Sequence, residues 1–283
     1  MGKQKQKRSE NTYQKINTIF KRDANNVIMP YDEFALPELE WMRNCKFDAE
    51  EKVDGMNTRI EVTREFITSD IGNNIGIKWN VAYKGKTDNA QIPKMLYTYL
   101  TTELTEDKVL NALGLSKEMY VTDELMQEKT WSVLNTQFNV YELDETKIPK
   151  RYTLYGEGYG AGIQSAGYYR KDNSFIGFDV KVDDMYLLRE NRDEIFNKLG
   201  VDIVPFVGKF TIDEAIEYVK KGFNSNIAEE PHLAEGLVLR TPMGLKTRKG
   251  ERIIFKVKTC DFNKYFVKYG TYDKVDQPKN ENY

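Results

Sequence analysis

Cysteine and histidine are almost missing from this chain: Cys45, Cys260 and His232 are the only ones in 283 residues. Two thiols so far apart in sequence make neither a CxxC zinc module nor a disulfide framework, and both are expected as buried thiols. A single histidine removes every mechanism that needs a histidine pair and reads as structural. No run of about 18 apolar residues occurs, so no membrane-spanning helix and no membrane partner are expected. The amino terminus, MGKQKQKRSENTYQK, is basic but lacks the apolar segment of a secretion signal, so a cytoplasmic location is expected. An excess of one charge is absent too. Lys and Arg total 42 against 44 Asp and Glu, a net charge of −2, so a contact with nucleic acid has to rely on a local groove.

The common nucleotide signatures are missing as well. There is no G-x-x-x-x-G-K-[ST], and GEGYGAG (156–162) places glycine at every second residue instead of as GxGxxG. A Walker ATPase and a Rossmann dehydrogenase are therefore disfavoured. Internal repeats, low-complexity blocks and Pro- or Ser-rich linkers are also lacking, so the simplest organisation is one domain over 12–265. It lies between a basic, flexible stretch (1–11) and a polar tail (266–283). Lys3, Lys5, Lys7 and Arg8 read either as phosphate contacts or as a solvated tail.

Strands and helices are both present. RIEVTREF (59–66) and NIGIKWNVAYKG (74–85) alternate with a period of two, as half-buried antiparallel strands do. After Pro93, the residues Met95, Leu96, Tyr99 and Leu100 recur at helical spacing, and a helical insert is expected over 93–134 with breaks such as Gly114. RYTLYGEG (151–158) and FIGFDVKV (175–182) return to strand character. ENRDEIFNKLG reads as a helix stopped by Gly200. Thr211 and Glu214 form a capping box for a helix whose Ile212, Ala215, Ile216 and Val219 share one face. AEGLVLR (234–240) and ERIIFKVK (251–258) complete a mixed α+β class with an antiparallel bias.

In ERIIFKVK, alternation puts Ile253, Phe255 and Val257 on one face and Lys256 and Lys258 together on the other. Taken alone this is a surface strand with a solvated basic edge. Aimed into a cleft, the same two lysines would clamp triphosphate oxygens. Lys52, in EEKVDGMN, has the same ambiguity. A free lysine amine has a pKa of about 10.4 and is a weak nucleophile at neutral pH, but neighbouring cations such as Lys256 and Lys258, or a metal, would expose its lone pair.

Taken in order, KVDGMN (52–57), LYGEG (154–158), FIGFDV (175–180), AEGLVLR (234–240) and FKVK (255–258) resemble the motifs of the covalent nucleotidyltransferases. That superfamily holds the polynucleotide ligases and mRNA capping enzymes. Within it the chain resembles the ATP-dependent RNA ligases of the T4 RNA ligase 2-like group, over roughly residues 12–262.

The resemblance implies an ATP-grasp-like nucleotidyltransferase domain of antiparallel sheets flanked by helices. It also implies ligation of 5′-phosphate to 3′-hydroxyl ends. Lys52 would take AMP from ATP as a lysyl phosphoramidate. Glu51 would read the adenine edge, and Asn57 matches the asparagine of RNA ligases where DNA ligases tend to carry arginine. Glu157 would hold the ribose, while Phe178 either stacks on the base or belongs to the core. Glu235 would associate with Mg2+, for which Mn2+ can substitute, and Lys256 and Lys258 would neutralise phosphate charge. Asp179 supports the site or a turn. Arg59 either reaches the nucleotide or forms an exposed ion pair with a nearby glutamate. Lys86 stands where the family usually offers arginine, and it reads as a looser phosphate contact or as a loop lysine.

Only 25 residues follow Lys258, which suggests a bare catalytic module without an OB domain and a separate clamp or repair partner. RNA ends are the leading substrate, with DNA or hybrid nicks as the alternative, and a monomer is expected. A DNA ligase, a capping guanylyltransferase and an inactive nucleic-acid-binding relative are the competing readings. A compact ligase of this kind would suit a viral repair system.

Overall fold

The computed structural model describes residues 12–23, 33–68, 74–120, 122–133, 136–164 and 166–262. The basic cluster Lys3, Lys5, Lys7 and Arg8 and the tail 266–283 lie outside the described residues. The chain divides into two compact units, each assembled from separate stretches. Among the described residues one comprises 12–13, 56–158 and 173–203, and the other 14–55, 159–172 and 204–262.

In chain order the elements begin with β1 (Asn17–Thr18), α1 (Glu38–Trp41), β2 (Phe47–Glu51), β3 (Met56–Thr68), β4 (Asn74–Gly85), α2 (Lys94–Glu103) and α3 (Glu106–Ala112). Next come β5 (Glu118–Tyr120), β6 (Met126–Val133), β7 (Thr136–Leu143), β8 (Arg151–Gly160), β9 (Asn173–Val182) and β10 (Met185–Tyr186). The chain continues with α4 (Arg189–Leu199), β11 (Asp202–Ile203), β12 (Phe206–Phe210), α5 (Ile212–Lys221), β13 (Gly236–Arg240) and β14 (Ile254–Lys258). Among the described residues no helix is long and apolar enough to cross a membrane.

The first unit is built on a seven-stranded sheet in the order β10-β9-β8-β3-β4-β5, with β11 added beside β9. Strand β3 pairs antiparallel with β4 and with β8, so Arg59 lies opposite both Lys84 and Tyr155. One face of this sheet is apolar, with Ile60, Val62 and Leu154 fully buried alongside Leu96 and Leu100 of α2 and Phe196 of α4. Motif glycines let the helices come close. A Cβ at Gly158 would overlap the Leu96 side chain, and one at Gly177 would lie 2.5 Å from the Phe196 ring.

The helical insert expected over 93–134 is helical only in its first half. Helices α2 and α3 form behind Pro93, and the chain leaves α3 through Gly114 at φ +69°. From Glu118 strands take over, apart from a short 3-10 turn at Asp123–Leu125: β5 joins β4, and β6 pairs with β7 from Met126↔Leu143 to Val133↔Thr136. Residues such as Glu, Leu, Met, Gln and Lys favour a helix locally, and pairing with strands formed elsewhere overrides that preference.

The second unit holds a five-stranded sheet in the order β1-β14-β13-β2-β12, antiparallel except for β1 beside β14. Its apolar face carries Phe47, Ala49, Leu237, Leu239, Phe255 and Val257, packed in one cluster with Ile212, Ala215, Ile216 and Val219 of α5. Each large apolar side chain buried there contributes roughly 2 kcal/mol. The capping box at Thr211 and Glu214 is formed, and it fixes where α5 begins. The two cysteines are not the buried thiols expected. Cys45 is exposed in the turn ahead of β2, and Cys260 is half-buried just after β14.

Candidate active site around Lys52

The face of the second unit's sheet opposite α5 is charged. Alternation along β2 and β14 sends Phe47, Ala49, Phe255 and Val257 inward, which leaves Asp48, Glu50, Lys256 and Lys258 for the other side. Strand β2 ends at Glu51, and Lys52 follows with its backbone N–H donating to the Gly236 carbonyl at 2.9 Å. Gly236 opposes Lys258 in the β13–β14 register, so the start of β13 meets both the end of β14 and the end of β2.

Glu235, the residue before β13, draws this corner together. Its Oε1 accepts from Lys258 Nζ at 2.9 Å, and its Oε2 accepts from Lys52 Nζ. The Glu235 side chain is 9% exposed and that of Lys52 is 19%, so the expected nucleophile is turned away from bulk water. Burial works against ionisation of Glu235, but Lys52 and Lys258 outweigh it and hold the carboxyl below its ordinary range. Lys258 shows the complementary balance: burial disfavours its charge, and Glu235 raises its pKa in spite of that. Lys256 has no such net support. Burial, with Lys52 and Lys258 adding repulsion, lowers its pKa to about 8.

A divalent cation fits this corner in one way only. Among the described residues no group of three or more His, Cys, Asp or Glu side chains could form a protein cage. Glu235 stays ionised between two lysines and offers a single hard oxygen donor, which is the style of Mg2+ that relies on phosphate and water for its remaining ligands.

Glu51 is not part of the lysine cluster. Both of its oxygens are engaged, one by the Ser225 hydroxyl and the other by the Asn226 N–H at 2.8 Å, and the residue is 1% exposed. Burial raises its pKa, and the bonds from Ser225 and Asn226 offset only part of that. It anchors the loop that follows α5.

The remaining expected residues belong to the first unit. Asn57 and Glu157 face each other across β3 and β8, and Asn57 Oδ1 is buried with no hydrogen-bond partner among the described residues. Phe178 is buried with the Tyr13 ring edge-on at 5.0 Å, and the Tyr13 hydroxyl donates to Asp179. Arg59 does form an ion pair with a neighbouring glutamate, but the pair is buried and not exposed. Its Nε contacts Glu61 at 2.7 Å, its Nη2 contacts Asp88, and its Nη1 donates to the Gly85 carbonyl. Lys84, 2.8 Å from Glu61, completes this network, while Lys86 is exposed in the turn after β4. Lys84 and Glu61 were not singled out from the sequence, although hairpin alternation places both on the same face as Arg59. His232, as expected of a structural histidine, stacks on Tyr168 at 3.4 Å between ring centroids.

Comparison with known proteins bears on this geometry. No curated protein sequence matches the chain. Among solved structures, Naegleria gruberi RNA ligase with pyrophosphate is similar at 16% identity and a TM-score of 0.49, over 91% of this chain and 59% of that one. A variant of the same enzyme with ATP and manganese is similar at 15% identity and a TM-score of 0.48, over 83% and 55%. The chain thus spans a little over half the length of those structures. The family model for RNA ligase matches residues 46–258, a span that includes Lys52, Glu235, Lys256 and Lys258. On that match this chain belongs to the RNA ligase family.

Proposed function

We propose that the chain is an ATP-dependent RNA ligase that joins a 5′-phosphate to a 3′-hydroxyl through a lysyl-AMP intermediate. The observation that carries this reading is the meeting of Lys52 and Lys258 on one buried carboxylate, Glu235, with Lys256 beside them. A surface lysine has no need of such a setting, and a nucleophile that must attack a triphosphate does.

In the first step the Lys52 ammonium gives up a proton to solvent, and the neutral amine attacks the α-phosphorus of ATP. The N–P bond forms as the bond to the bridging oxygen breaks, and pyrophosphate leaves. In the second step a 5′-phosphate oxygen of RNA attacks the same phosphorus, which frees Lys52 and leaves AMP on the RNA end. A 3′-hydroxyl then loses its proton and displaces AMP to close the phosphodiester.

Glu235 keeps the Lys52 amine in place before ATP arrives, and Lys258 and Lys256 supply positive charge where phosphate oxygens gain negative charge. Mg2+, or Mn2+ in its place, would be held by Glu235 and would neutralise triphosphate charge.

The direct test is incubation with ATP labelled at the α-phosphate, followed by denaturing electrophoresis. The wild-type chain becomes labelled, and Lys52→Ala is expected to lose the label entirely. A Lys52→Ala protein that retains a stable AMP label overturns the assignment. Sealing assays with RNA, DNA and hybrid nicks then compare substrates, with RNA ends expected to be joined fastest.

A further inference from the structure

The turn that carries Lys52 is held by a segment remote in sequence. Residues 52–55 join β2 to β3, and in the turn itself Asp54 N donates to the Tyr169 hydroxyl at 3.1 Å while the Gly55 carbonyl accepts from Gln164 Nε2 at 2.6 Å. Both partners come from the stretch between β8 and β9, which belongs to the same unit as Lys52.

That stretch is firmly seated. Where it leaves β8, Gly160 has φ +114°, and any Cβ there would overlap the Asp172 carbonyl at the far end of the same stretch. Tyr169 is fully buried. Its ring packs on Tyr159 at 5.8 Å and Tyr168 at 4.3 Å, and its carbonyl accepts from Glu229 N at 3.0 Å. Burial raises the pKa of its phenol far above the ordinary value, which keeps it a neutral hydroxyl. Such a hydroxyl is a fixed acceptor for the Asp54 amide across the working pH range.

We propose that Tyr169 is a positioning residue for the covalent step. Its hydroxyl fixes the Asp54 backbone and thereby the direction in which Lys52, two residues earlier, presents its amine. This proposal rests on the ligase reading above. It separates the steps of that reaction, because only the first two use Lys52 as nucleophile and leaving group. Closure of an RNA end that already carries AMP does not.

The test compares Tyr169→Phe, which deletes one oxygen and keeps the ring, with Tyr159→Phe, which deletes a hydroxyl of the same aromatic cluster that accepts from Arg170. Single-turnover formation of the labelled lysyl-AMP is expected to slow about tenfold in Tyr169→Phe, with KM for ATP unchanged, because a small misplacement of a nucleophile costs rate. Sealing of pre-adenylylated RNA by the same variant is expected at the wild-type rate. Tyr159→Phe is expected to match wild type in both assays. Hydrogen exchange of the peptide spanning 50–58 should rise in Tyr169→Phe alone, with the thermal midpoint confirming that each variant is folded.

A Tyr169→Phe protein that adenylylates as fast as wild type overturns the proposal. So does one that loses both activities by the same factor, because that marks a general structural effect. If the wild-type chain itself forms no adduct, the ligase reading fails, and this proposal fails with it.

Discussion

Two buried carboxylates flank Lys52 and behave in opposite ways. Glu51 precedes it in sequence and is tied to neutral donors, Ser225 and the Asn226 amide. Glu235 lies far along the chain and is tied to two ammonium groups. Burial penalises both charges, but it prevails at Glu51, whose pKa rises, and is outweighed at Glu235, whose pKa falls. Proximity in sequence to Lys52 is therefore a poor guide to which carboxylate pairs with it. The charges of the donors decide the matter.

The contrast can be broken most forcefully at Glu235. Glu235→Gln leaves Lys52 and Lys258 facing each other without their shared anion, and adenylylation is expected to fall about 100-fold. Stability should fall by about 3 kcal/mol at neutral pH, as for a buried ion pair that loses one partner. A carboxyl with a depressed folded pKa stabilises above its unfolded value of about 4.3 and loses that contribution as pH falls through the folded value. The stability gap between wild type and Glu235→Gln, read from denaturation curves, should therefore close on the acid side of about pH 4.

Lys256 sharpens the comparison from the cationic side. With its pKa at about 8, the free enzyme loses this charge just above neutrality, so kcat/KM for adenylylation should decline as pH rises past about 8. Lys256→Arg should remove that decline. The stability sign is also defined. Between about pH 8 and the unfolded lysine value of about 10.4 the unfolded chain binds more protons, so the wild-type fold gains stability across that window. Lys256→Met should accordingly be the more stable form at pH 7, with an advantage that shrinks towards pH 10.

The smallest effect is expected at Glu51. A raised folded pKa makes ionisation costly, so wild type loses stability as pH rises from about 4.3 through the folded value. Glu51→Gln escapes that loss and surrenders part of the bonding to Ser225 and Asn226. Its net change at pH 7 should be within about 1 kcal/mol, with the variant improving relative to wild type as pH rises through that window. Adenylylation should change little. A loss as large as that of Glu235→Gln would abolish the distinction drawn between the two carboxylates.

Much of this architecture is legible in the sequence because it depends on short-range rules. Period-two alternation locates β3, β4 and β14 and puts Lys256 and Lys258 on one face, while Thr211 and Glu214 mark the start of α5. What escapes a reading of the sequence depends on partners brought in from afar. The segment 118–133 is rich in helix formers, yet 118–120 and 126–133 are strands because β4 and β7 accept them. Arg59 looks like a strand-surface arginine until Asp88 and the Gly85 carbonyl close over it. Neither Ser225 at Glu51 nor Tyr169 at Asp54 carries a local signature, since each reaches that partner by a hydrogen bond across more than 100 residues.

The order of strands in the second unit also bears on how the protein is made. Strand β2, which delivers Lys52, lies between β12 and β13, both of which are translated more than 150 residues later. The lysine therefore emerges from the ribosome without its anion, its flanking cations or even a neighbouring strand of its sheet. Long-range closure of this kind is slow, and a nascent chain halted before residue 258 lacks the charges that would let it react with ATP. On the ligase reading proposed above, self-adenylylation should therefore begin only once the chain has been synthesised through β14, making the adduct a built-in report that this sheet has assembled.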